Sequence, residues 1–149
     1  MNWVQLLLRW LHILPAVIAG GASLYAAIAL VPTLGELSDD VRASLRERIA
    51  ARWRPVVSIC VALLLASGLA NFLLFQSKLH HGQPLYHGLF GVKFLAALGV
   101  FFISSALVGR APALQGIRDR MAFWARINAL LVVLILLISG VLKNIPPAP

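Results

Sequence analysis

Pro55-Val56-Val57-Ser58-Ile59-Cys60-Val61-Ala62-Leu63-Leu64-Leu65-Ala66-Ser67-Gly68-Leu69-Ala70-Asn71-Phe72-Leu73-Leu74-Phe75 decides the fold, because no charged side chain interrupts it. A run of about 20 apolar residues wound as an α-helix spans a ~30 Å hydrocarbon core. Pro55 suits the first turn of such a helix, where its missing N–H costs little. Working outward, three more runs of this kind follow from the sequence, at about 4–30, 86–108 and 123–142. With 60% hydrophobic and 12% charged residues, the 149-residue chain departs from soluble domains, in which about 25% of residues are charged. The expectation is an all-α integral membrane four-helix bundle, one domain over residues 1–149.

Between the first two runs lies a polar segment. Ser38-Asp39-Asp40-Val41 is a plausible N-cap with acids in the first turn, and arginines follow at 42, 46, 48, 52 and 54. An interfacial helix at about 39–53 is predicted. The first run is too long for the apolar core of a signal peptide and contains Arg9 and His12, so it reads as a retained helix. Gly20-Gly21-Ala22-Ser23 and Ser67-Gly68 offer close-packing points. They suggest association of copies, for example as a dimer.

The net charge of +8 comes from arginines placed between apolar runs. A nucleic-acid surface would need a soluble fold to display them, so a membrane-lipid rim is the better reading. Five arginines lie in the 33–54 connection and four in 110–126, against Lys78 alone in 76–85. The positive-inside rule then places both termini and the histidine-bearing connection on the outer side, the periplasm of a bacterial inner membrane. Cys60 is the single cysteine; it excludes an intrachain disulfide and a CxxC metal site.

A charge within hydrocarbon costs about 2.5–3.5 kcal/mol, which makes polar residues inside spans functional candidates. Arg126 and Asn128 fall near the inner interface, where a long side chain can reach the headgroups, and Asn71 suits a hydrogen bond between helices. His12 and Lys93 are deeper. Counted from Trp3 and Tyr86 at 1.5 Å per residue, they lie about 13 Å and about 10 Å inside and could share a layer. Arg9 is one turn above His12; His87, His80 and His81 lie toward the same outer side. This set suits two chemistries. Haem b would take His12 and His87 as ligands, with Arg9, Tyr86 and Lys93 at its rim. Copper would take His80 and His81 with His87 or His12. The third alternative is a membrane module whose histidines are incidental. No acid falls inside a span, so hydrolytic and phosphoryl chemistry are not expected.

Arg9-Trp10-Leu11-His12-Ile13-Leu14 with Gly20-Gly21, Arg52-Trp53-Arg54, Ser67-Gly68, and Leu89-Phe90-Gly91-Val92-Lys93-Phe94-Leu95 closing at Gly109-Arg110 resemble the four-helix CopD-like membrane domain. The early Leu-His and later Lys are similar to HemJ-type protoporphyrinogen oxidases, and that resemblance implies haem b binding. His12 matches the first-helix histidine and Lys93 the third-helix lysine. In a HemJ-type third helix a histidine lies close before the lysine and another about three turns after. Here His87 lies six residues before Lys93, and Ser104-Ser105 follow it. The resemblance implies a haem-b membrane electron-transfer protein, of oxidoreductase type with a quinol or porphyrin-type donor. The alternative is a CopD-like copper-handling protein.

Overall fold

A computed structural model describes residues 3–148. Among them there are helices and connections but no strands. Four helices are long and apolar enough to cross a membrane: α1 (Trp3–Gly35), α2 (Asp39–Leu79), α3 (Pro84–Val108) and α4 (Met121–Asn144). At 1.5 Å per residue their lengths are about 50, 62, 38 and 36 Å, against a hydrocarbon core of ~30 Å.

The exteriors of these helices are apolar. Leu14, Val17, Ile28, Leu95, Leu130 and Leu137 are each more than 60% exposed. An apolar surface of this extent is stable in lipid, not water. The buried positions are mostly small or β-branched, including Val57, Ala96, Val100, Ile103, Ala106, Ala125 and Val132. Such residues let helix backbones approach closely when lipid supplies no hydrophobic driving force.

α1 packs on α2, α2 on α3, α3 on α4 and α4 on α1. The four therefore form a ring, with α1 and α3 at diagonal corners. Gly20 and Ser23 of α1 face α4: a Cβ on Gly20 would sit 3.4 Å from Val132 Cγ1, and Ser23 accepts a hydrogen bond from Asn128. Gly68 of α2 lies against His12 of α1. Gly20, Ser23 and Gly68 therefore pack within one chain, whereas Gly21 is exposed and meets no neighbouring side chain within 4 Å.

The polar helix predicted at about 39–53 and the span predicted at about 55–75 form one continuous helix, with Pro55 in its interior. Proline removes one backbone hydrogen bond there. Two contacts anchor the segment just before it to the end of α3: Arg54 Nε donates to the Val108 carbonyl at 2.9 Å, and Arg110 Nη2 donates to Glu47 Oε1 at 2.6 Å. Residues 39–54, eight of them charged, therefore continue beyond the apolar part of α2. Both α1 and α2 include a π-helical turn, Ala26–Leu30 and Phe72–Gln76.

The bundle has two unlike ends. The connection after α2 turns at Gly82, whose φ of +74° is a left-handed conformation that glycine adopts without strain. Ala148 N–H donates to the Leu79 carbonyl, so the carboxyl-terminal tail folds over this histidine end. The opposite end gathers the arginines of α2, Arg110 and the short helix Gln115–Asp119.

Candidate functional site

His12 sits in a notch on α2. Its Nδ1 lies 3.0 Å from Ser67 Oγ, and a Cβ on Gly68 would lie only 3.0 Å from its Cε1. Ser67 determines the tautomer. Its hydroxyl donates to the Leu63 carbonyl at 2.5 Å, so its oxygen can only accept from the imidazole. Nδ1 therefore carries the proton and Nε2 holds the lone pair. The Leu64 carbonyl also faces the ring, and Lys93 is the charge that acts on it. His12 and Lys93, predicted to share a layer, are thus brought within electrostatic reach across the bundle. Arg9, one turn above His12, is exposed.

The other histidines form a separate cluster at the end of the bundle. His80 is 5% exposed, stacks flat on Tyr86 at 3.7 Å, and donates from Nδ1 to Gln83 Oε1 at 2.8 Å. His87 donates from Nε2 to the His80 carbonyl at 3.1 Å and meets Phe72 edge to face. Tyr86 is buried and donates its hydroxyl to Gln76 Oε1 at 3.1 Å. Phe72 stacks on Phe90 at 3.9 Å. Gln83 donates onward to the Pro146 carbonyl. His81 is exposed. His80, His87 and Tyr86 thus each have a protein hydrogen-bond partner and help to close this end.

These donors separate the two chemistries expected from the sequence. Haem ligation through imidazole needs a lone pair on an oriented ring, and a hydrogen bond to the far nitrogen supplies the orientation. His12 meets this requirement. His87 has its Nε2–H committed to a carbonyl, and ligation through that nitrogen would have to break the bond. Among the described residues, no three His, Cys, Asp or Glu side chains converge as a metal set.

Two features escape the sequence reading. Asn128, read as interfacial, is 3% exposed and donates to both Ser23 Oγ at 2.9 Å and Ser104 Oγ at 3.0 Å, tying α4 to α1 and α3. Below it, a cavity of about 290 Å³ lies between all four helices, lined by apolar side chains such as Val57, Cys60, Val100 and Trp53, with Arg46 toward the arginine end. Arg118 is 9% exposed beside a second cavity that shares Arg46. The serines at 23 and 104 and the asparagine at 128 were the available signal, one polar residue per helix at matching depth. No family model, curated protein or solved structure matches this chain.

Proposed function

We propose that this chain is a haem-b-binding membrane redox protein in which His12 is the axial ligand. The observation that supports it is the Ser67–His12 hydrogen bond, which orients the imidazole with Nε2 as its basic nitrogen. Haem b, when bound, supplies one-electron exchange. Ser67, as acceptor, holds the His12 proton at Nδ1. Lys93, whose charge acts on His12, would neutralise a carboxylate of the bound group, and Arg9 offers a second cation nearer the surface. A membrane quinol or a porphyrin-type compound is the donor class suited to a site inside lipid. The arginine count at the opposite end favours a cytoplasmic location there and an outer location for the histidine end.

The test is spectroscopic. Protein purified in detergent and supplemented with haem should give a Soret band and, after dithionite, a sharpened α-band. His12→Ala should abolish both. Absence of any Soret band overturns the function, and full haem occupancy in His12→Ala overturns the ligand.

A further inference from the structure

Arg46 and Arg118 line the same cavity at the arginine end and repel one another. Two acids act on Arg46, and neither forms an ion pair with it or with Arg118: Asp119 accepts from Gln115 Nε2, and Glu47 is engaged by Arg110 through Nε and Nη2. Arg118 is more than nine-tenths buried. Its Nε and Nη2 donate to Gln115 Oε1, and Nη2 also to the Ala111 carbonyl, but Nη1 is buried with no partner among the described residues. An unpaired guanidinium N–H removed from water is costly, more so beside a second cation. An oxyanion would satisfy both groups.

This cavity adjoins the apolar one in the bundle core: Arg46, Ala50 and Leu107 line both. A charged recess therefore adjoins a mainly apolar one of about 290 Å³. A free anion would leave the apolar part unfilled, and a neutral apolar molecule would leave the guanidinium unpaired. We propose that the two cavities form one site for an anionic amphiphile, its oxyanion head between Arg46 and Arg118 and its chain among the apolar side chains of the core.

The probe is dodecyl phosphate, titrated against the full chain in a non-ionic detergent and read by native mass spectrometry. One molecule should be retained, and an equal concentration of dodecyltrimethylammonium should not displace it. Arg118→Gln and Arg46→Gln should each weaken retention by about tenfold or more, the value of a charge-assisted hydrogen bond. Val57→Trp, which fills the apolar part, should weaken dodecyl phosphate without altering the response to inorganic phosphate. If either arginine variant fails to fold, the other variant and the cation competition decide. Retention unaffected by both head and cavity variants overturns the site. Inorganic phosphate binding as tightly as dodecyl phosphate, or retention persisting in Val57→Trp, overturns the amphiphile and leaves a simple anion site.

Discussion

Ser67 Oγ stands between two partners, accepting from His12 Nδ1 at 3.0 Å and donating to the Leu63 carbonyl at 2.5 Å. A serine that returns its proton to its own helix is a pure acceptor toward the neighbouring one. Ser67→Ala should therefore cost about 0.6–2 kcal/mol, the range for hydrogen bonds between helices in lipid. It should also release the tautomer. Thermal unfolding in detergent measures the first effect, and a broadened or shifted Soret band of the haem-supplemented protein measures the second. Unchanged values of both would show that Ser67 does not orient His12.

Gly68 makes a separate prediction. A methyl group at this position would lie 3.0 Å from His12 Cε1, tighter than nine in ten Cβ contacts. Gly68→Ala should push the ring out of its notch and separate α1 from α2 locally, at a cost of about 1–3 kcal/mol from overpacking. The His12→Ala/Gly68→Ala double variant should recover part of that loss, because the clash requires both side chains. Additive losses would count against the contact.

Asn128 connects three helices, so its removal should be felt at two partners. Asn128→Ala is expected to destabilise the bundle by more than Ser104→Ala, and a double-mutant cycle between the two should show coupling of about 0.6–1.7 kcal/mol. Zero coupling would mean that the bond from Asn128 Nδ2 to Ser104 Oγ makes no contribution.

Acid should weaken the arginine end. Glu47 lies beyond the apolar part of α2, and the Arg110 guanidinium that donates to it, together with its charge, holds its carboxyl below the ordinary value. A carboxyl whose pKa is depressed on folding contributes stability above the unfolded value, about 4.3, and loses it as the pH falls through the lower folded one. The loss belongs below pH ~4. Because both side chains are more than half exposed, it should be small and should fade with salt. Melting curves of wild type and Glu47→Gln should differ at neutral pH and converge in acid; a constant offset would exclude the pair as the cause.

The four crossings were legible because a span is a one-dimensional signal: about 20 apolar residues in a row have few other uses. That Lys93 acts electrostatically on His12 was partly legible for the same reason, since depth is counted along a helix. Which neighbour each residue meets was not legible, because it depends on how the helices rotate about their axes. Rotation puts His80 flat on Tyr86 and sends the His87 N–H to the His80 carbonyl. It also buries Arg118, which in sequence resembles any arginine of a basic connection. The helix that continues through Pro55 was hidden for another reason. Local preference favours a helix start at that proline, and the Arg54–Val108 and Glu47–Arg110 contacts that anchor the segment before it involve residues more than 50 positions apart.

That uninterrupted helix has a mechanical consequence. Ser67, which orients His12, and Arg46, which faces Arg118, are 21 residues apart on α2, or about 32 Å along one shaft. A turn of the shaft about its axis would swing both residues together, and Pro55 between them is the one place where a lost backbone bond lets it bend. The histidine end and the arginine end of the bundle thus share one continuous element, and any axial rotation of it is common to both.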